Sequence, residues 1–152
     1  DEPLLVNPAF FKSVEQQGWG WGFVSGAEPP SARYVLERRL GLNNPPLIAM
    51  GDAPDKPDPS GLLQLSDSLL NSVRGGTVAY LGDTVADVKT VLNARRCRPD
   101  REWISLAVPP PHLSPGSGAR LTYEEQLRAA GSDRILESTA AVPRWLQERA
   151  KI

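Results

Sequence analysis

Short apolar runs alternate along the chain with amphipathic stretches of about ten residues. Each run is apolar at consecutive positions rather than at every second one, which is typical of strands that are buried on both faces. We therefore predict strands at residues 21–24, 47–50, 77–81 and 103–108, followed by a short edge strand at 135–136.

The stretches between these runs carry helix signals. Asn7 followed by Pro8 is a favourable helix start, and Gly18 is a favourable stop. A second amphipathic pattern begins after Ser31 and ends at Gly41. The predicted helices cover residues 8–17, 32–40, 59–70, 84–94, 121–130 and 142–150, whereas residues 109–118 are too rich in Pro, Gly and Ser for regular structure.

Strands and helices that alternate in this way predict an α/β fold. We expect a Rossmann-like, doubly wound parallel sheet with helices on both faces, in three α/β/α layers. The chain has 152 residues, of which 40% are hydrophobic, and this is enough for one domain with its own core. Ligands of such sheets bind at the carboxyl ends of the strands, so we expect functional residues directly after the apolar runs.

The charge of the chain is nearly balanced, with 17 basic and 18 acidic residues. A balanced chain offers no strong field for a nucleic acid or an anionic membrane. No apolar run approaches the ~20 residues that span a bilayer, and the first residues lack the features of a signal peptide. We expect a soluble cytoplasmic protein with no nucleic-acid or membrane partner.

The chain contains one cysteine, Cys97, and one histidine, His112. A single cysteine excludes an internal disulfide framework, and together the two residues are too few for a Cys/His zinc site. Any metal bound by this chain should therefore be a hard cation with oxygen ligands.

The first polar cluster follows the strand predicted at 21–24 and consists of Ser25, Gly26 and Ala27. A hydroxyl group and free backbone N–H groups at a strand end can bind an anion. A plain turn into the next helix is the alternative interpretation.

The second cluster contains Lys56 in the sequence Asp55-Lys56-Pro57-Asp58-Pro59. The prolines restrict the backbone, so the ammonium group of Lys56 can be held at a fixed point and can stabilise a phosphoryl group. The alternative is a loop at a helix start with a solvated lysine, in which Asp58 caps the helix.

The third cluster follows the strand predicted at 77–81 and is the strongest signal. Asp83 comes directly after Gly82, and Asp87 lies one helical turn later, so both carboxylates can face one point near the start of a helix. Two such carboxylates suit Mg²⁺, which takes few protein oxygens. The alternative is that Asp83 or Thr84 is a helix cap and Asp87 a favourable first-turn acid.

Together the three clusters resemble the second, third and fourth motifs of haloacid dehalogenase (HAD) phosphatases. The resemblance covers about residues 22–94 and is closest to the subgroup of phosphoglycolate phosphatase and β-phosphoglucomutase. The residues that carry it are Ser25-Gly26, Lys56-Pro57 with Asp58-Pro59, and Gly82-Asp83-Thr84 with Asp87.

The resemblance implies a phosphate site and a covalent mechanism. A nucleophilic Asp on the first strand would accept the phosphoryl group, and a second Asp two residues later would act as general acid and base. Ser25 and the N–H groups around Gly26 and Ala27 would hold the phosphoryl oxygens of a small phosphorylated metabolite. Lys56 would neutralise both the nucleophile and the phosphate.

The resemblance also implies a magnesium site at the third cluster. Asp83 would be a ligand of Mg²⁺. Asp87 would be either a further ligand or a residue that orients Lys56 or the waters of the metal. The resemblance thus assigns catalytic roles to Lys56, Asp83 and Asp87.

The first motif of the family is missing, because no Asp-x-Asp occurs in these 152 residues. We therefore expect residues 1–152 to form a single incomplete HAD-like core domain that lacks the first strand and the cap. The start at Asp1 rather than at methionine suggests that a preceding segment has been removed or left out.

The missing strand would normally lie in the middle of the sheet, so we expect an N-terminal segment to complete the sheet, or self-association at its edge. The parent protein would be a Mg²⁺-dependent phosphatase, and the isolated chain would be inactive. A catalytically inactive HAD-like module for binding or assembly is the alternative. Phosphoglycolate, a sugar phosphate and histidinol phosphate all remain possible substrates.

Overall fold

The described part of the chain forms parallel strands with helices between them. It comprises residues 8–24, 30, 46–49, 51–70 and 76–150 of a computed structural model. The helices are α1 (Pro8–Gln16), α2 (Ser60–Leu69), α3 (Val85–Cys97), α4 (Gly118–Ala130) and α5 (Val142–Ala150), with a 3₁₀ turn at Thr139–Ala141 before α5. The strands are β1 (Phe23–Val24), β2 (Leu47–Ile48), β3 (Thr77–Gly82), β4 (Glu102–Ala107) and β5 (Arg134–Ile135).

All pairings between the described strands are parallel, as predicted. β1 pairs with β2, and β3, β4 and β5 form a second sheet in that order. The predicted Rossmann-like α/β fold is therefore confirmed for these residues. The helix predicted at 32–40 and the candidate site residues Ser25, Gly26 and Ala27 lie outside the described residues.

The boundaries differ from the prediction where a side chain caps a helix. Helix α4 begins at Gly118, before the predicted start at 121, because the Ser117 hydroxyl accepts a hydrogen bond from the Arg120 N–H. The loop-like composition of this segment hides that cap in the sequence. Asp58 accepts a bond from the Ser60 N–H at 2.8 Å, although Pro59 occupies the cap position of α2.

The best-buried part of the core surrounds β4. Five of its six residues are buried, and they are covered by Val88 and Val91 of α3 and by Leu127 of α4. A second core lies between α1 and α5, where the buried residues Val14, Val142 and Leu146 form one cluster. None of the described helices is long and apolar enough to cross a membrane.

Strand β3 is less buried than its neighbour β4. All six of its residues are partly exposed, although helices cover both faces of the sheet. The reason is an apolar cavity of about 500 Å³ between β3 and β1, which we call the slot. The slot is bounded by β1 and the preceding Trp19–Gly22 segment, by β3, and by side chains of α1, α2 and α5.

Candidate functional site

The turn between β3 and α3, residues 82–87, holds the two carboxylates of the strongest motif. We call it the acid turn. Thr84 caps α3 through a capping box: its hydroxyl accepts from the Asp87 N–H at 3.2 Å, and Asp87 Oδ2 accepts from the Thr84 N–H at 3.1 Å. The capping interpretation is therefore correct for Thr84, and Asp87 is part of the cap.

Gly82 is required by the packing of this turn. A Cβ atom at this position would lie 2.4 Å from Cβ of Asp87, which is far closer than such atoms approach in proteins. The absence of a side chain lets Asp87 fold back over the end of β3, where its Oδ2 also accepts the Asp83 N–H at 3.1 Å.

The other oxygen of Asp87 holds Lys56. Lys56 Nζ donates to Asp87 Oδ1 at 2.7 Å, and the Tyr80 hydroxyl donates to the same oxygen at 3.0 Å. The Thr84 hydroxyl adds a contact of 2.9 Å to Oδ2. Five donors thus surround one carboxylate whose side chain is only 7% exposed.

These contacts favour one of the two roles that the sequence left open for Asp87. A carboxylate that already accepts bonds from Lys56, Tyr80 and the acid turn has little capacity left for a metal ion. It is well suited to fixing the position and charge of the Lys56 ammonium group, a role in which it would act on the substrate only through that lysine.

The pKa values of the three groups reflect this arrangement. Burial tends to raise the pKa of Asp87, but the hydrogen bond and charge of Lys56 and the bonds from Thr84 outweigh it, so the pKa is lowered. Burial tends to lower the pKa of Lys56, but Tyr80 and Asp87 outweigh it, so that pKa is raised. Burial and the charge of Asp87 raise the pKa of Tyr80 to about 12. Lys56 is therefore a permanent cation and not a proton donor at neutral pH.

The loop that carries Lys56 is tied to α3. Asn93 Nδ2 donates to the Pro57 carbonyl at 3.0 Å, and the Lys56–Pro57 peptide bond is cis. The Lys56 ammonium lies 5.7 Å from the centre of the Tyr80 ring, and 26% of the side chain remains exposed. The ammonium is thus anchored by Asp87, and the Lys56 side chain as a whole remains partly exposed.

Asp83 differs from Asp87 in both exposure and environment. It is an exposed residue, although partial burial of the carboxyl group, followed by the charge of Asp87, raises its pKa. A neighbouring negative charge disfavours a second carboxylate, and a bound cation would remove that penalty. The backbone at this position is fixed by Tyr123 of α4, whose hydroxyl donates to the Asp83 carbonyl at 2.5 Å.

The donor set fits Mg²⁺ only in part. Among the described residues no group of three or more His, Cys, Asp or Glu side chains could hold a metal ion. Mg²⁺ needs few protein ligands, however, and Asp83 offers one open carboxylate beside the lysine. Asp83 could therefore supply one ligand, with the others coming from water, phosphate and groups outside the described residues.

The structure brings three of the predicted site residues together: Lys56, Asp83 and Asp87. The predicted phosphate loop begins one residue after the end of β1 at Val24 and lies outside the described residues. Two residues that contact the site were not predicted from the sequence: Tyr80 and Tyr123. Tyr80 blends into the apolar pattern of β3, and Tyr123 is 40 residues from its partner, so neither gave a local signal.

The fold and this site define a doubly wound α/β protein with a lysine and two carboxylates at the carboxyl end of strand β3. Comparison with solved structures supports the same class. A putative haloacid dehalogenase-like hydrolase from Bacteroides fragilis superposes with a TM-score of 0.63 at 22% identity, covering 88% of this chain and 56% of the other. A phosphonoacetaldehyde hydrolase-like protein from Oleispira antarctica superposes with a TM-score of 0.68 at 15% identity, covering 94% and 55%.

The chain therefore has the fold of haloacid dehalogenase-like hydrolases, and it spans a little more than half the length of these two structures. The fold expected from the motifs is confirmed. No protein-family model and no curated protein matches the sequence itself.

Proposed function

We propose that this chain is the phosphate- and metal-binding part of a Mg²⁺-dependent phosphatase that hydrolyses a small phosphomonoester through an aspartyl phosphate. The observation that carries the proposal is the Lys56–Asp87 pair. The Lys56 ammonium is a cation at neutral pH, and its Nζ lies 2.7 Å from Oδ1 of a carboxylate whose two oxygens both already accept hydrogen bonds. Such a group is prepared to stabilise negative charge without rearrangement during the reaction.

The residues of this chain would act on the phosphoryl group rather than form a bond to it. Lys56 would neutralise a phosphoryl oxygen and the attacking carboxylate, while Asp87 keeps the ammonium in place. Ser25 and the N–H groups of Gly26 and Ala27 would bind the remaining phosphoryl oxygens. Asp83 would hold Mg²⁺, which when bound supplies positive charge to the phosphate.

The nucleophile would come from a segment outside this sequence, since the chain has no Asp-x-Asp. In the first step a carboxylate oxygen of that segment bonds to phosphorus, and the bond from phosphorus to the alcohol oxygen breaks. The second Asp protonates the leaving alcohol and then takes a proton from the water that hydrolyses the aspartyl phosphate.

The test uses the parent protein, with phosphate release from a panel of phosphomonoesters measured with and without Mg²⁺. Replacing Lys56 with Met should lower kcat by at least ~10²-fold, the cost of losing one preorganised electrostatic contact. Lys89→Met is the matched control, because Lys89 is an exposed lysine of α3. Equal activity of the two variants would contradict the proposal.

An inactive HAD-like module for binding or assembly is the second candidate, and the missing Asp-x-Asp favours it. The two are separated by the reading frame of the parent gene. An Asp-x-Asp on an apolar strand ahead of this sequence supports the enzyme, whereas its absence from the whole frame supports the module.

A further inference from the structure

The peptide group that precedes the Cα atom of Asp83 is held at both of its polar atoms. Its carbonyl, which belongs to Gly82, accepts the Val108 N–H at 2.9 Å, just beyond the last residue of β4. Its N–H, which belongs to Asp83, donates to Asp87 Oδ2 at 3.1 Å. The sheet therefore holds one side of this peptide group, and the acid turn holds the other.

The peptide group that follows the Cα atom of Asp83 is held in the same way. Its N–H, which belongs to Thr84, donates to Asp87 Oδ2 at 3.1 Å. Its carbonyl, which belongs to Asp83, accepts the Tyr123 hydroxyl at 2.5 Å. Of the four hydrogen bonds on the two peptide groups, the bond from Tyr123 is the one that neither the sheet nor the acid turn supplies.

Tyr123 is itself fixed in place on α4. Its ring packs against a buried cluster with one member each from α3, β4 and α4: Val88, Ala107 and Leu127. One turn earlier on the same helix, the buried Arg120 donates to the Glu137 carbonyl at 2.7 Å and ties α4 to the segment after β5. The Tyr123 hydroxyl is therefore presented to the acid turn from a firmly packed helix.

These bonds fix the backbone of Asp83 while its side chain stays exposed. With both flanking peptide groups held, the φ and ψ angles of Asp83 cannot change without breaking a hydrogen bond. The direction of its Cα–Cβ bond is then set, and only the side-chain torsions remain free. A ligand group that is ordered before binding loses less conformational entropy when it binds, so it binds more tightly.

We propose that Tyr123 is a positioning residue, which sets the affinity of the Asp83 carboxylate for a divalent cation by holding the Asp83 carbonyl. Tyr123 acts through the backbone of Asp83 and does not itself contact the cation. The inference rests on the proposed function, in which Asp83 holds Mg²⁺, and it adds a residue of α4 to that site.

A purely structural bond between α4 and the acid turn is the alternative, and two observations disfavour it. The packing of the Tyr123 ring already joins α4 to α3 without the hydroxyl. The hydrogen bond is also exposed, so water could pair with the Asp83 carbonyl in its absence. Stability therefore gains little from this bond, whereas the orientation of Asp83 depends on it.

The test measures Mn²⁺ binding by the ¹⁵N-labelled chain. Mn²⁺ takes the same oxygen ligands as Mg²⁺, and it broadens the signals of nearby amides such as those of Asp83 and Thr84. Asp83→Asn identifies the part of the broadening that depends on this carboxylate. Tyr123→Phe keeps the ring and removes the hydroxyl, and it should weaken the Asp83-dependent binding about tenfold, the lower end of the loss when a group that orients a metal ligand is removed.

Two further variants separate positioning from stability. Ser132→Ala removes a bond of the same kind near the other end of α4, where the Ser132 hydroxyl donates to the Arg134 carbonyl at 3.0 Å, and it should bind Mn²⁺ as the chain does. Para-aminophenylalanine at position 123 keeps the ring and places an N–H donor where the hydroxyl was. It should restore most of the affinity that Tyr123→Phe loses.

The outcomes distinguish this inference from the proposed function. Equal affinity of Tyr123→Phe and the chain, with Asp83→Asn still reducing the broadening, would overturn the role of Tyr123 and leave that of Asp83 intact. Equal losses in Tyr123→Phe and Ser132→Ala, or no recovery with para-aminophenylalanine, would also overturn it. Broadening that does not depend on Asp83 at all would refute both the metal site of the proposed function and this inference.

Discussion

Replacing Asp87 with Asn tests whether the acid turn is held by one carboxylate. The amide keeps the shape of the side chain but has one acceptor oxygen in place of two, and its NH₂ group would face some of the five donors that now point at Asp87. Lys56 would lose its ion-pair partner at the same time. We expect a large loss of stability from a change of a few atoms.

The magnitude follows from the environment of the pair. Removing one partner of a buried ion pair costs about 3–5 kcal/mol, and the quarter-exposed Lys56 reduces this to about 2–3 kcal/mol. Weakening the cap of α3 adds about 1 kcal/mol. A total of about 3–4 kcal/mol corresponds to a fall in Tm of about 6–16 °C for a chain of this size.

The assay is urea unfolding followed by circular dichroism, with Asp83→Asn as the matched control. That variant makes the same chemical change four residues away, but burial and the charge of Asp87 already disfavour the Asp83 carboxylate. Its free energy of unfolding should therefore stay the same or rise, by less than about 1 kcal/mol after solvent screening. A loss of less than about 1 kcal/mol in Asp87→Asn, or equal losses in both variants, would refute this account of the acid turn.

Three further predictions concern the same turn and its chemistry. Gly82→Ala should lower the free energy of unfolding by at least about 2 kcal/mol in urea titrations, because its Cβ would overlap Asp87, whereas Gly118→Ala, with open space at its Cβ, should be neutral or stabilising. Because the pKa of Asp87 is lowered, the contribution of its carboxylate to the free energy of unfolding is complete above the ordinary pKa of 3.8 and is lost as the pH falls below that value. The free energies of unfolding of the chain and of Asp87→Asn should therefore converge below about pH 4. A difference between them that does not change with pH would contradict this. The isolated chain with Mg²⁺ should not hydrolyse p-nitrophenyl phosphate in an absorbance assay, and turnover that disappears in Asp83→Asn would show that the nucleophile lies within this chain.

Local signals predicted most of the described fold. Continuous apolar runs predicted the parallel strands, and Asn, Pro and Gly predicted where helices begin and end. Both kinds of signal depend only on residues that are close together in the sequence. The strand predicted at 21–24 is shorter in the structure, where it begins at Phe23. Trp21 lies just before it, in contact with the ring of Phe11 and donating to Glu15, so contacts with α1 use a residue that the pattern assigned to the strand.

The candidate site could be predicted as a set of residues but not as a network. Spacing alone placed Asp83 and Asp87 on one turn. The choice between metal ligand and lysine partner for Asp87 depends on Lys56 and Tyr80, which approach it only through tertiary packing. A single sequence carries no record of such contacts, so the role of Asp87 could not be predicted from it.

The capping box of α3 has a consequence for how position 87 would behave in a mutational survey. The same carboxylate starts a helix and orients the lysine, so chemistry and folding cannot be varied separately there. Nearly every substitution of Asp87 would lower the amount of folded protein as well as any activity, and abundance measurements would class the position as structural. Asp83 is exposed, and its side chain neither starts the helix nor pairs with Lys56, so it is the position at which loss of activity and loss of protein could be told apart.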